Sequence, residues 1–388
     1  MVTFAENMES APMKILLMGD ASNCHRALAT GLRRLGHEVT VVSDGTGWMN
    51  TQRDIDIKRG WRNKFGGLAL WLRMRLSIMK DLKDYDVVSI TNPVWLSLRP
   101  HRNRYFFDLL KDNNRSVFLT ALGTDTAYVN ACLDPESPLK YSEFRLFGHR
   151  APYDIEHPDT AIAWTTGELK EHCEYTYREI DGAVSVLYEY DVAMRRVLPD
   201  YKVAYGGIPI ELDTLERVAV PRQVDCVNLF LGRHAHRIKV KGTDLLEKAA
   251  LRVVARHPGR CRLTLVENRP YDEYLRLLKS AHLVMDQVYS YTPATNALLA
   301  MGYGLNTLSG AEPEFYDFIG EKDNRPIINA VPDEDALTAA IEDFVMHPEL
   351  IAWRGEQSRR FVEKHNDCVT VARRFVDFWT KRLEETGR

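Results

Sequence analysis

The sequence predicts an α/β protein built from two doubly wound halves in tandem. Three observations carry this. The chain has 388 residues, more than the ~250–300 at which a single core stops growing. Short β-branched or apolar runs alternate with helical patterns along its length. The alternation restarts after a stretch of mixed polarity at 207–224.

Met13–Asp20 (MKILLMGD) is nearly continuous in apolar residues, as suits a strand buried on both faces of a parallel sheet. A helical pattern through Leu28, Leu32 and Leu35 follows and stops at Gly36. His37–Ser43 then completes a βαβ unit. Further strands are predicted at Asp86–Thr91, Ser116–Ala121, Gly182–Leu187 and Lys202–Tyr205. In the second half Cys226–Leu231, Arg262–Val266, His282–Met285 and Asn306–Ser309 read as strands. Helices are predicted from Thr243 to about His257, over Tyr271–Ser280 and Thr292–Met301, and from about Cys368 to Leu383. The chain divides into a first domain over 1–206, a linker over 207–224 and a second domain over 225–365. A last helix within 366–388 could pack back on the first domain.

Composition narrows the function. Hydrophobic residues make up 45% of the chain and charged residues 27%, the balance of a folded protein. Lys and Arg number 51 against 54 Asp and Glu, a net charge of -3, so a globally basic nucleic-acid binder is excluded. No apolar run reaches the ~20 residues of a transmembrane helix. The first twelve residues lack the charged-then-apolar layout of a signal peptide, so a cytoplasmic location is expected. The six cysteines are scattered without a C-x-x-C pair, and neither a disulfide framework nor a metal site is expected.

Ligands of doubly wound sheets bind beyond the carboxyl ends of the strands. Residues that leave strands are therefore the site candidates. Arg233 ends a predicted strand and Lys241 opens the next helix, so both could grip phosphate, unless they belong to a solvated basic loop. Thr292 is a suitable N-cap, Pro293 fits the first helical position, and Thr295 lies in the first turn. Such a helix start offers free N–H groups to an anion, unless it is an ordinary capped core helix. On the first half, Gly19, Asp20 and Asn23 follow the first strand and should reach the cleft. Asp125 follows the Ser116–Ala121 strand. It could orient an acceptor hydroxyl or act as a base, or it could cap the next turn.

Several segments together resemble the group 1, or family-4-like, glycosyltransferases of GT-B fold. Leu231-Gly232-Arg233 followed by Lys241-Gly242 matches the family's "G-R … K-G" segment. Leu299-Ala300-Met301-Gly302-Tyr303-Gly304 matches "E-A-M-A-x-G", and Ser309 to Glu314 matches "G-G-x-P-E". Leu35 to Val41 and Gly206-Gly207-Ile208-Pro209 sit where the family has similar strings. The resemblance implies two Rossmann-like domains with a cleft between them. It also implies transfer of a sugar from a nucleoside-diphosphate donor to an acceptor hydroxyl, with retention, in polysaccharide or glycolipid synthesis. It implies metal-independent chemistry without a cofactor, and a saccharide or lipid-linked acceptor.

The sequence departs from that family at one motif. The Glu-x7-Glu positions hold Tyr291 and Leu299, and Leu299 cannot hold ribose hydroxyls. Asn296, Glu312 or Glu314 could substitute. The departure keeps two other readings open: a nucleotide-sugar epimerase of GT-B-like fold, and a non-catalytic sugar-nucleotide-binding protein.

Two charged stretches complete the reading. Between Arg53 and Lys83 there are nine Lys or Arg and three Asp or Glu. Trp61, Phe65, Leu68, Leu72, Leu76 and Met79 recur there at helical spacing. This is the composition of a helix that can lie on an anionic membrane surface, so a peripheral membrane partner at 58–83 could exist. The stripe could instead face the core. Residues 151–200 carry eleven Asp or Glu and four Lys or Arg, which reads as a surface lid or excursion.

Overall fold

The computed structural model describes residues 11–46, 49–219 and 224–387. The first ten residues and 220–223, the proline-bearing end of the linker, lie outside the described residues.

Two parallel sheets organise the chain. The first contains β1 (Lys14–Met18), β2 (Glu38–Ser43), β3 (Ile55–Asp56), β4 (Val87–Ile90) and β5 (Val117–Ala121). A small antiparallel hairpin, β6 (Arg145–Leu146) and β7 (His149–Arg150), interrupts the alternation. The first sheet then resumes with β8 (Gly182–Ser185) and β9 (Val203–Tyr205). Its strand order is β3-β2-β1-β4-β5-β8-β9. The second sheet contains β10 (Val227–Arg233), β11 (Cys261–Glu267), β12 (Leu283–Met285), β13 (Asn306–Ser309) and β14 (Ile328–Asn329), in the order β11-β10-β12-β13-β14. Every pairing within these two sheets is parallel.

Both orders reverse once, and a reversal leaves a crevice at the carboxyl ends of the two strands beside it. In the first sheet the reversal lies between β1 and β4, and in the second between β10 and β12. Apolar runs locate the central strands: Ile15 to Met18 and Leu229 to Leu231 are fully buried, whereas the edge strand β11 leaves Arg262 and Leu265 exposed. The two-residue strands β3 and β14 are too short to leave a periodic signal.

Helices cover the faces. Cys24–Arg34 packs against the last helix, Cys368–Glu385. The approach is close: a side-chain carbon on Gly31 would collide with the Cys368 carbonyl. One core therefore joins Ile15, Leu28 and Leu32 to Val371, Phe375 and Trp379, and continues to Leu298 and Met301.

The acidic stretch is an excursion only in its first part. Helices Pro152–Glu156 and Pro158–Thr165 form an excursion that reaches Ile238–Lys241 in the second half. Gly167–Glu179 is a layer helix that packs on Pro100–Asn113 and buries Cys173. Glu189 and Asp191 are buried. All six cysteines are free, five of them buried. No helix among the described residues is long and apolar enough to cross a membrane.

Candidate functional site

The reversal in the second sheet brings the phosphate candidates together. Arg233 is the last residue of β10, whose Leu231 pairs with Met285 of β12. Asp286 follows immediately and is buried. Its Oδ1 accepts from Lys241 Nζ at 2.9 Å and from Asn296 Nδ2 at 3.3 Å. Asn296 Oδ1 in turn accepts from Tyr274 Oη at 2.6 Å. Asn296 and Thr295 form the first turn of helix Thr295–Gly302. Lys241 and the start of that helix thus meet on one carboxylate, beside the end of β10. Asp286 Oδ2 is buried without a hydrogen-bond partner among the described residues.

Arg233 is held by two carboxylates. Its Nε donates to Glu267 at 2.6 Å, and a second nitrogen pairs with Glu247. The Glu267 hydrogen bond raises the guanidinium pKa further above its ordinary value, so the charge is permanent. A diphosphate arriving here would compete with these carboxylates for a fixed cation.

Thr292 does not cap the helix. The helix begins three residues later, after Ala294 in an extended conformation. Thr292 Oγ1 donates instead to Glu189 Oε2 at 2.7 Å, and Ser290 Oγ donates to Glu189 Oε1 at 2.6 Å. Burial raises the Glu189 pKa, and the two hydroxyls answer its need for donors. Thr292 therefore ties the second half to the first and is not free to hold phosphate.

Glu312 and Glu314 serve the same seam. Glu312 Oε1 accepts from Tyr141 Oη at 2.7 Å and from Asn329 Nδ2 at 2.6 Å. Glu314 pairs with Lys140. Tyr291, where the family has its first Glu, stacks on Tyr141 with ring centroids 4.9 Å apart. Leu299, at the second Glu position, packs with the Phe230 and Val284 cluster. The carboxylates offered as substitutes are thus engaged between the halves, and Asn296 alone of the three lies beside Lys241, on the shared Asp286.

On the first half, the reversal between β1 and β4 opens into a cavity of about 670 Å³. Gly19 and Asp20 leave β1 into its wall, Thr91 and Asn92 leave β4, and Leu122 to Thr124 leave β5. Gly19 has φ 76 and packs on Trp95, a conformation and an approach that favour glycine. Trp95, Ser97, Trp164, Asp44, Arg59 and Arg99 also contribute to the lining. Beneath it, the buried His25 ring meets Gly19 O at 2.8 Å and Thr120 Oγ1 at 2.9 Å. Burial lowers the His25 pKa to about 4. Asp20 Oδ1 accepts from the His25 backbone N–H at 3.0 Å. Burial raises the Asp20 pKa to about 6, against hydrogen bonds that lower it.

Two acceptor-side residues lie elsewhere than the sequence suggested. Asn23 takes φ 65 at the start of helix Cys24–Arg34 and is not part of the cavity wall. Asp125 turns inward rather than to the cleft: its Oδ1 accepts from Tyr128 N at 2.8 Å, capping helix Thr126–Leu133. Gly123, at φ 86, makes the turn that directs it there. Burial raises the Asp125 pKa to about 6.

Asp286 and Glu189 were missed from the sequence. Asp286 had a signal, since it directly follows a predicted strand. Glu189 had none, because an acidic stretch reads as solvated. Among the described residues no three His, Cys, Asp or Glu side chains gather in a way that could hold a metal ion.

No protein-family model matches the sequence, and no curated protein matches it. Solved structures do match the fold. Sucrose-phosphate synthase from Thermosynechococcus elongatus superposes with a TM-score of 0.63 at 13% identity, over 96% of this chain and 100% of that one. Anabaena HepE, solved in complex with UDP and glucose, gives a TM-score of 0.57 at 11% identity over 95% and 100%. A Listeria monocytogenes protein assigned as a UDP-N-acetylglucosamine 2-epimerase gives 0.53 at 12% identity over 97% and 98%. Two parallel sheets, each with one reversal, and end-to-end likeness to these structures identify the architecture: the chain has the GT-B fold, two doubly wound Rossmann-like domains with a cleft between them.

Proposed function

We propose that the protein transfers a sugar from a nucleoside-diphosphate donor to an acceptor hydroxyl. One observation carries this reading. Lys241 and the start of helix Thr295–Gly302 converge on Asp286 at the reversal of the second sheet, beside Arg233. A leaving diphosphate gains negative charge, and fixed cations with free N–H groups stabilise it. Arg233, Lys241 and the N–H groups of Thr295 and Asn296 take that role. Thr292 is left out of it.

The first-half cavity takes the acceptor. Its two tryptophans offer apolar faces to a sugar ring, and Asp20 is the carboxylate that orients the acceptor hydroxyl. A saccharide or lipid-linked acceptor, a hexose donor, retention, and work in polysaccharide or glycolipid synthesis on the cytoplasmic side belong to the same reading and rest on the resemblance. So does metal-independent chemistry, with Arg233 and Lys241 in place of a cation. HepE and sucrose-phosphate synthase support nucleotide-sugar transfer at the level of fold.

The test is thermal melting against UDP, GDP, ADP, CMP and their sugars. A ligand at about 100 times its Kd adds ~2.7 kcal/mol, a readable shift. A shift with one nucleotide that falls to about half or less in Arg233→Ala is expected and names the base. No shift with any of them sinks the donor site and favours a protein without this chemistry. The absent Glu-x7-Glu pair and the epimerase of like fold favour a second reading, epimerisation of the same donor. Donor turnover that needs an added acceptor excludes it.

A further inference from the structure

The stripe on the first-half helix does not face the core. Helix Lys64–Leu76 buries Leu70 and Met74 against the first-half core. Its opposite side presents Phe65, Leu68, Leu72 and Leu76, with Trp61 just before it, and these five are 40–64% exposed. The spacing places the helical four on one face, so they form a continuous apolar strip open to solvent. A surface helix normally keeps one apolar side, and this one has two.

Cations flank the strip along the chain: Lys64 lies over the Phe65 ring, and Arg75 is beside Trp71. Of the three acidic residues in the stretch, Asp54 and Asp56 are taken by Arg33 and Arg53, and Asp81 is exposed beyond the helix end. Arg62, Lys64, Arg75, Lys80 and Lys83 make no salt bridge to a described residue. The Arg75 guanidinium lies 5.2 Å from the Trp71 ring centroid, so cation and aromatic sit side by side at the edge of the strip. The strip also adjoins the first-half cavity. Arg59 donates from Nε to Trp61 O at 2.9 Å and from Nη1 to Ser97 O at 3.0 Å, and Arg59 and Ser97 both line that cavity.

We infer that this face docks on an anionic bilayer. The apolar strip enters the headgroup boundary, the cations meet anionic lipid, and Trp61 sits at the interface. Docking this way brings the cavity mouth to the membrane surface. The inference stands apart from the transfer reaction, because vesicle binding is read without donor or acceptor.

The experiment is co-sedimentation of the full chain with vesicles of phosphatidylcholine, alone or mixed with phosphatidylglycerol. Binding to the mixed vesicles only, weakened by salt, is expected. Lys64→Glu/Lys80→Glu/Lys83→Glu should lower it more than about tenfold. Phe65→Ser/Leu72→Ser should also lower it, with melting unchanged because both side chains are exposed. No binding by the wild type, or equal binding by all three proteins, overturns the inference. So does self-association in lipid-free solution that Phe65→Ser/Leu72→Ser abolishes, which would assign the strip to a second copy of the chain.

Discussion

Lys241 and Asp286 form an ion pair of 2.9 Å at the reversal of the second sheet, with the carboxylate buried and the ammonium reaching solvent. Losing one member of such a pair is worse than losing both. Lys241→Met should cost about 3 kcal/mol in urea unfolding, and Lys241→Met/Asp286→Leu should recover most of it. Both should lose the nucleotide-dependent melting shift. A single variant as stable as the double would mean the pair is not coupled.

Arg233 separates binding from stability. Its partners Glu247 and Glu267 are partly exposed, so Arg233→Ala should cost less than about 1 kcal/mol. Nucleotide affinity should fall on the order of 10–100-fold, the worth of a charge-assisted contact. Calorimetric titration of wild type and variant reads both quantities apart.

Asp20 should give opposite pH trends in stability and activity. Its folded pKa of about 6 lies above the ordinary 3.8. The folded state holds the proton more tightly, so this stabilisation is full below 3.8 and is lost as pH rises through about 6. Transfer needs the ionised form, so the rate should rise across the same window. Asp20→Asn should flatten the pH profile and lower kcat about a hundredfold. An unchanged profile would remove Asp20 from the acceptor side.

Asp125 should behave as a cap. Asp125→Ala should cost about 1–2 kcal/mol through the lost bond to Tyr128 N. Asp125→Asn keeps an acceptor and should keep turnover. If Asp125→Asn melts like the wild type yet fails to turn over, the residue is a base after all.

Gly31 should be intolerant. Gly31→Ala places a methyl against the Cys368 carbonyl, and parting the two helices should cost about 1–3 kcal/mol or more. Differential scanning calorimetry would read the loss, and an unchanged Tm would mean that the helices separate freely.

The architecture was legible because buried parallel strands are apolar from end to end, as at Ile15–Met18 and Leu229–Leu231. Part of the candidate donor site was legible for the same reason: Arg233 ends β10, which an apolar run locates, whereas Lys241 closes the short helix Ile238–Lys241 and does not open the next one. The seam between the halves was not. Thr292, Glu312 and Glu314 have the composition of ligand-binding residues, and only their partners Glu189, Tyr141 and Lys140, over a hundred positions away in sequence, show what they bind. Asp125 could cap or catalyse on sequence alone, and only its hydrogen bond from Tyr128 N shows the cap.

The last helix has a consequence for how the chain is made. Val371, Phe375 and Trp379 complete the core around Ile15, Leu28 and Leu32. At ~5–20 residues per second, a ribosome emits that helix roughly 20–70 seconds after Cys24–Arg34. During that interval the earliest-made sheet carries an uncovered apolar face. Truncation before Cys368 would make the interval permanent, so the N-terminal half expressed alone is a natural client for chaperones.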